Sequence, residues 1–150
     1  MEDSAKQLVS MINMFSKMEG ALCKAFYQKY GKEALPIVDG VMSQAGVQWG
    51  KMMQQTLPVK SMKSIAEQLK VMGVMMAMGT EIVEVSDDVV HFKVSNCPLG
   101  LEGTSRELCE AAMAADEKRL STFFGKGIDM KILETVAAGD KQCDIVFSKK

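Results

Sequence analysis

The sequence predicts an α+β protein in which N-terminal helices pack with a four-stranded antiparallel sheet, in the element order ααα-ββ-α-ββ. Two hydrophobic periods predict this class. Up to Gly79, apolar residues recur at three- and four-residue steps, which is the spacing of a helix face. After Gly79, two segments alternate with period two, and a turn interrupts each of them, as in β-hairpins. Hairpins joined through one helix favour an antiparallel sheet with the helices on one side.

Length and composition indicate a soluble globular protein. The 150 residues suggest a single domain, with a helical part over 1–79 and a ββαββ part over 80–150. Hydrophobic residues make up 47% of the chain, which is enough for a core. The formal net charge is -1 and the basic residues are scattered, so a nucleic-acid partner is not expected.

The N-terminal segment predicts a cytoplasmic protein. MEDSAKQLVS is acidic and polar, and it lacks the basic region and apolar run of a signal peptide. The most apolar stretch, 71–79, is too short to span a bilayer, so no membrane partner is expected. Cysteines in the cytoplasm are thiols or metal ligands more often than disulfides. The chain has four of them: Cys23, Cys97, Cys109 and Cys143.

The first predicted helix runs from about Ser4 to Tyr30, and Gly31 ends it. It presents one apolar face. We expect this face to pack in the core, with a homodimer interface as the alternative. Its members recur at helical spacing: Leu8, Met11, Phe15, Met18, Leu22 and Phe26.

Two more helices are predicted before the sheet. The second begins around Pro36, a residue that the first turn of a helix tolerates, and Pro58 breaks its pattern. Gly46 and Gly50, four residues apart in it, suggest that another element packs closely there. The third is expected from about 61 to 78.

The second half of the chain is predicted to hold two hairpins around one helix. In the first hairpin, Val90, Phe92 and Val94 share a face. Thr104 is the expected cap of a helix to about Phe124. The last hairpin is expected over 128–136 and 143–148, with a turn at Gly139-Asp140.

The last hairpin carries a carboxylate and a thiol where alternation predicts buried side chains. Glu134 follows Ile132 on one face, and Cys143 precedes Ile145 on the other strand. If Val136 opposes Cys143, then Glu134 and Cys143 are diagonal neighbours on the core face. A buried carboxylate requires water, a cation, a metal or a ligand. We therefore expect a functional site at this position.

The preceding helix adds further groups along one stripe, and Cys97 lies just after a strand. Thiolates and carboxylates that converge suit zinc or iron, and Cys97, Cys109 and Cys143 are the tentative ligands. The alternative is that each cysteine is simply a small buried hydrophobic residue. We expect Glu134 and Asp116 as the acid–base candidates. The predicted pocket is lined by Cys97, Cys109, Met113, Met130 and Cys143.

Two runs of sequence carry a family resemblance. They are NCPLGLEGTSRELCEAAMAADE, with Cys97-Pro98, Cys109 and Asp116, and ETVAAGDKQCDIVF, with Gly139-Asp140 and Cys143-Asp144. Together they resemble the L-2-amino-thiazoline-4-carboxylic acid hydrolase-like family. The YGKEALPIV stretch and the glycine-containing second helix are also similar to that family's first half.

The closing hairpin is also similar to that of the 4-vinyl reductase domain and of aromatic-sensing activator domains. The resemblance implies a small-molecule-binding α+β superfamily, in which some members hold zinc with cysteines and a glutamate. That pattern has a cysteine three residues after the acid, where this chain has Ala137. A three-cysteine site would therefore have to recruit Cys97 and Cys109 beside Cys143.

The resemblance implies a small-molecule hydrolase that opens a cyclic C=N compound with water. A metal could activate the water, or Glu134 or Asp116 could act as general base with a pKa raised by burial. A cysteine nucleophile is a third route. The alternative function is a non-catalytic module that binds or senses a small molecule, with or without a cysteine-held metal. Fourteen methionines favour that alternative. A redox-sensing thiol protein is a further alternative.

Overall fold

The computed structural model describes residues 2–150. Within this range the chain forms four α-helices and four β-strands in the predicted order, and the α+β class is confirmed. The helices are α1 (Glu2–Tyr30), α2 (Ala34–Thr56), α3 (Met62–Met75) and α4 (Arg106–Phe124). The strands are β1 (Glu81–Val85), β2 (Val89–Val94), β3 (Ile128–Glu134) and β4 (Cys143–Lys149).

The strands form one antiparallel sheet in the order β1-β2-β4-β3, so β4 lies between β2 and β3. Apolar residues lie opposite one another across these pairs, since Ile145 of β4 is level with Phe92 of β2 and with Ile132 of β3. The predicted shared face of Val90, Phe92 and Val94 is confirmed, because all three side chains are buried.

Helices α3 and α4 cover this buried face of the sheet. Ile65 of α3 and Phe123 of α4 join the core that the strands form, and the rings of Phe92 and Phe147 stack with centroids 5.9 Å apart. A second core lies between α2, the first half of α4 and the segment 97–101. Its α4 side is made of small residues: Ala111, Ala112, Ala114 and Ala115.

The two glycines predicted to allow close packing in α2 lie at its crossing with α4. A Cβ atom at Gly46 would overlap the backbone of Ala115, and one at Gly50 would overlap the backbone of Arg119. No side chain fits between the two helices at either place. The tight α2–α4 crossing therefore depends on glycine, and this prediction is confirmed.

Local capping signals explain where α3 and α4 begin. The Ser61 hydroxyl accepts a hydrogen bond from the Ser64 N–H, and Ser105 does the same for Leu108. The prediction of Thr104 as the α4 cap is wrong, because its hydroxyl donates to the Leu101 carbonyl at 2.6 Å. Gly125 ends α4 in the left-handed conformation, with φ of 64°.

The apolar face of α1 is mostly exposed, so the prediction that it packs in the core is wrong for most of its members. Cys23 and Gly20, on the other side of the helix, are buried instead. Within residues 2–150 no helix combines the length and apolarity that a bilayer crossing requires. The exposed members are Leu8, Met11, Phe15, Met18 and Leu22, while Phe26 packs partly buried against the second core.

Candidate functional site

The junction predicted as a pocket contains one buried hydroxyl between two thiols. Thr135 follows β3 directly and is fully buried. Its hydroxyl donates to the Sγ of Cys109 on α4 at 3.2 Å, and the Cys143 thiol lies 4.0 Å from the same oxygen. The oxygen also accepts from the Ala137 N–H at 3.2 Å. The hydroxyl therefore ties α4 to the last hairpin, and it was not among the residues that the sequence predicted.

The turn after β3 holds Thr135 in this position. The Asp140 carboxylate accepts from the Thr135 N–H at 2.8 Å, and the Asp140 N–H donates back to the Thr135 carbonyl at 3.2 Å. Gly139 supplies the positive φ of 96° that the turn requires. The Gly-Asp pair of the sequence motif is thus a turn that fixes a buried hydroxyl.

Cys97 lies in the loop before α4, where it is half-buried and packs against both cores. Its Sγ accepts a hydrogen bond from the Leu101 N–H at 3.5 Å. Burial raises the pKa of this thiol above its ordinary value, and backbone hydrogen bonds only partly offset that effect. The thiol is therefore protonated at neutral pH.

Burial also raises the pKa of Cys109, to about 11. The hydrogen bond from Thr135 lowers it, while the neighbouring Cys143 and Cys97 raise it further. A nucleophilic cysteine requires the opposite shift. His91, the chain's one histidine, offers no base here, because it alternates with the buried Phe92 and hydrogen-bonds Asp144 at 2.6 Å on the outer face of the sheet.

The predicted metal site is not supported. Across the part of the chain that the structure describes, no group of three or more His, Cys, Asp and Glu side chains is placed so that it could hold a metal ion. Between Cys109 and Cys143 lies the Thr135 hydroxyl, which is a poor zinc ligand beside thiolates and carboxylates. Cys97 does not join this hydrogen-bonded group.

Glu134 does not lie on the core face, so the prediction of a buried carboxylate is wrong. A bulge between Ile132 and Glu134 shifts the pairing, and Glu134 comes level with Asp144 instead of Ile145. Its exposed carboxylate accepts a hydrogen bond from the Gln142 side chain at 3.2 Å. The next residue, Thr135, is the one whose side chain is buried.

Asp116 lies further along α4, away from the bonded thiols. Its carboxylate accepts from Arg119 Nη2 at 2.9 Å, and one third of the Asp116 side chain is exposed. Met113 and Met130 are partly buried and pack against the cores, Met113 against both and Met130 against the first. Of the predicted site residues, the structure thus brings Cys109 and Cys143 together and leaves both acids apart from them.

A cleft of about 460 Å³ that is open to solvent, which we call the cavity, lies elsewhere, between α2, α3 and α4. Helix α3 forms one wall, with polar residues at one end and apolar residues at the other. Its position could not be predicted from the sequence, because its walls come from three helices that share no motif. It is lined by Trp49, Leu57, Ser64, Glu67, Gln68, Val71, Met72 and Arg119.

Arg119 is the buried charge in the wall of this cavity, with only 7% of its surface exposed. Its guanidinium carbon lies 4.5 Å from the centroid of the Trp49 ring, which is a cation–π contact. One terminal nitrogen donates to Asp116, but Nε has no hydrogen-bond partner within residues 2–150. A buried N–H without a partner costs free energy, so this donor calls for an explanation.

The fold resembles those of solved small-molecule-binding and trafficking proteins. The phenol-responsive sensory domain of the transcription activator PoxR, solved with phenol, has a TM-score of 0.65 and 17% identity over 89% of this chain and 74% of that one. Trafficking protein particle complex subunit 3 from Naegleria fowleri, covalently bound to palmitic acid, has a TM-score of 0.62 and 14% identity over 93% and 95%.

A more distant likeness is to a vinyl-4-reductase family protein from Methanocaldococcus jannaschii, with a TM-score of 0.45 and 20% identity over 82% of this chain and 80% of that one. Among curated proteins there is no match.

The sequence itself matches one protein family over nearly its whole length. The model of L-2-amino-thiazoline-4-carboxylic acid hydrolase matches residues 11–147. The matched region includes the Thr135 turn, both thiols bonded to it, and Arg119 with the cavity it lines. The chain belongs to the L-2-amino-thiazoline-4-carboxylic acid hydrolase family.

Proposed function

We propose that the chain binds a small molecule with a carboxylate or carbonyl oxygen in the cavity between α2, α3 and α4. The observation that carries this proposal is the buried Arg119 guanidinium in the cavity wall, whose one hydrogen bond within residues 2–150 goes to Asp116. A ligand carboxylate that paired with this guanidinium would form charge-assisted hydrogen bonds, which are roughly twice as strong as neutral ones. The Trp49 ring, against the same guanidinium, supplies an aromatic surface for the body of the ligand.

The cavity suits a small ligand with an apolar body. Its volume of about 460 Å³ is within the usual range for small-molecule sites. Leu57, Val71 and Met72 provide apolar walls, and Ser64 and Gln68 provide further polar groups. The compound in the family's name, a small heterocycle with one carboxylate, combines the two properties that these walls favour. The phenol-responsive domain of similar fold also supports a small-molecule ligand.

The lone tryptophan makes binding directly measurable. Titration with L-2-amino-thiazoline-4-carboxylate should change Trp49 fluorescence, and 2-amino-thiazoline without the carboxylate should bind more weakly. Arg119→Met keeps the apolar stem but removes the donors, so affinity for the carboxylate should fall about 10- to 100-fold. Lys118→Met, which removes the same charge from the exposed neighbouring position, is the matched control and should bind normally.

Equal affinity of the two variants, or equal affinity for both compounds, would contradict the role of Arg119. Glu67→Gln gives an independent check, because Glu67 lines the same cavity. Removing its negative charge should strengthen binding of a carboxylate and weaken binding of a cation.

We further propose that the ligand is a cyclic C=N compound that the protein hydrolyses, as the family relationship supports. Water adds to the C=N carbon and a ring bond to nitrogen or sulfur breaks, so the water must lose a proton and the departing atom must gain one. Asp116 is the favoured general base, because it contacts the cavity-lining Arg119. Glu134, exposed and bonded to Gln142, is the weaker candidate.

Hydrolysis and simple binding are distinguished by the product. Incubation with L-2-amino-thiazoline-4-carboxylate should yield a compound heavier by one water in mass spectrometry, and Asp116→Asn should lower kcat about 100-fold or more. Glu110→Gln, at an exposed position of the same helix, is the control for loss of one surface carboxylate, and a comparable loss of kcat in Glu134→Gln alone would make Glu134 the base. Recovery of unchanged ligand from a saturated protein would instead favour the non-catalytic binding or sensing function.

The thiol-lined junction is the alternative position for the ligand, with Cys97, Cys109, Met113, Met130 and Cys143 as its walls. Cys97 is half-buried, so a ligand there should slow its alkylation by iodoacetamide. A ligand in the cavity next to Trp49 should leave that rate unchanged.

A further inference from the structure

Helix α1 points its largest apolar side chains toward solvent. Six of them form what we call the α1 apolar face, and each is between 50% and 66% exposed. They span about 21 Å along the helix, at 1.5 Å per residue. The members are Leu8, Met11, Met14, Phe15, Met18 and Leu22.

The opposite side of α1 is the side that packs on the protein. A Cβ atom at Gly20 would overlap the Leu99 carbonyl, so the helix lies directly on the loop before α4. Two residues along a helix correspond to about 200°, so Met18 and Leu22 point away from Gly20. At this contact the packed side of α1 is small, whereas the free side carries large apolar residues, the reverse of an ordinary surface helix.

The molecule also exposes more area than a compact monomer of its size. Its accessible surface is 8610 Å². A monomer of 16.4 kDa is expected to expose about 7500 Å². The excess is comparable to the roughly 800 Å² that each partner buries in a stable protein–protein interface.

We propose that the α1 apolar face pairs with the same face of a second copy, with the two helices antiparallel about a two-fold axis. Such an interface is self-complementary, since each patch meets its own copy. Charge favours the antiparallel direction. With Phe15 at the centre, Asp3 near one end comes within about one helical turn of Lys29 of the second copy. Both side chains are exposed.

A parallel pair would instead place acidic ends together and align the helix dipoles unfavourably. The proposed interface lies on α1 alone, and the cavity is lined by α2, α3, α4 and Leu57. This inference is therefore independent of the proposed function.

Sedimentation equilibrium of the full chain tests the association. The wild-type chain should sediment with twice the monomer mass at micromolar concentration. Phe15→Glu should raise the dimer dissociation constant about tenfold or more, because it places a charge at the centre of the interface. Val74→Glu is the matched control, since Val74 is 83% exposed on α3, outside the α1 apolar face, and this variant should remain dimeric.

A wild-type chain that is still monomeric at a concentration 100-fold above the micromolar range would overturn the proposal. So would a Phe15→Glu variant with unchanged dimerisation. If that variant fails to fold by circular dichroism, Met18→Gln in the same face takes its place. A monomer that binds phosphatidylcholine vesicles through this face would also overturn the proposal, by assigning the face to a lipid surface.

Cross-linking tests the direction of pairing without disturbing the fold. Leu8→Cys and Leu22→Cys chains, mixed and oxidised, should form a disulfide between position 8 of one copy and position 22 of the other. Each variant alone should not cross-link at that position. Efficient cross-linking of Leu8→Cys with itself would require a parallel pair and would overturn the antiparallel arrangement.

Discussion

The two halves of α4 contrast in the buried polar group that each one places. Thr135 bonds to the first half and Arg119 belongs to the second, and the two groups differ in how many of their hydrogen bonds are made. In the first half, the Thr135 hydroxyl has a thiol to donate to, a backbone N–H to accept from and a second thiol nearby. In the second half, Arg119 has one ion pair and one ring contact but keeps an unpaired Nε–H. The satisfied hydroxyl has a structural role, whereas we interpret the incompletely paired guanidinium in the cavity wall as part of the proposed ligand site.

The largest expected effect on stability is at the crossing of α2 and α4, because this contact holds both halves of α4 in place. Gly46→Ala would force the Ala115 backbone away from α2 and disturb the packing that positions both groups. We expect a loss of about 3 kcal/mol or more in the free energy of unfolding. Gly40→Ala, in the same helix with no atom within 4 Å of its Cβ among residues 2–150, should gain about 0.5 to 1 kcal/mol.

Urea unfolding of both variants measures this difference. A Gly46→Ala variant as stable as the wild-type chain would mean that α2 and α4 do not cross as closely as the glycines require.

The buried Cys109 thiol in the first half of α4 should make the protein less stable at alkaline pH. The pKa of Cys109 is raised from an ordinary 9.0 to about 11, so the unfolded chain loses this proton first. Between pH 9 and 11 the folded chain binds more protons, and stability therefore falls as pH rises. Through Cys109 alone, the free energy of unfolding should be lower at pH 10.5 than at neutral pH by about 2 kcal/mol.

Cys109→Ser keeps a hydrogen-bonding group but does not titrate in this range, so its stability should fall less between pH 8 and 10.5. Chemical denaturation in the presence of a reductant measures both slopes. Identical slopes would mean that the Cys109 thiol is not buried in its protonated form.

Removing the Thr135 hydroxyl should cost less. Thr135→Val keeps the shape but leaves the Ala137 N–H without its acceptor, so we expect a loss of about 1 to 2 kcal/mol. Thr135→Ser retains the hydroxyl and serves as the control. Affinity for a carboxylate ligand, read from Trp49, should not change in either variant. A large change in affinity from Thr135→Val would move the ligand site to the thiol-lined junction.

The smallest effect on stability is expected at Arg119. Arg119→Met removes a buried charge together with its unpaired donor, and Asp116 keeps access to water. Removing one partner of an ion pair is costly when the other charge stays buried, but a third of the Asp116 side chain is exposed, so we expect a change within about 1 kcal/mol. A loss of several kcal/mol in thermal or urea unfolding would instead assign Arg119 a structural role, and the contrast between the two halves would disappear.

The site could be predicted from the sequence only in part. Cys109 and Cys143 meet at one hydroxyl, and the Gly139-Asp140 turn that arranges them was visible as a motif. The position of Glu134 was not, because the bulge beside it depends on how β3 pairs with β4 and not on alternation within β3. Arg119 was missed because nothing in its local sequence distinguishes it from an exposed basic residue of a helix.

The sequence by itself determined the order of helices and strands, the strand faces outside the β3 bulge, and the family, since local periodicity, glycines and short motifs record these directly. The tertiary structure alone decided which faces are covered. Helical spacing groups Phe15 and Met18 on one side of α1, but only the packing of Gly20 on the loop shows that this side remains free. Periodicity shows which side chains share a face, whereas burial depends on segments distant in the chain.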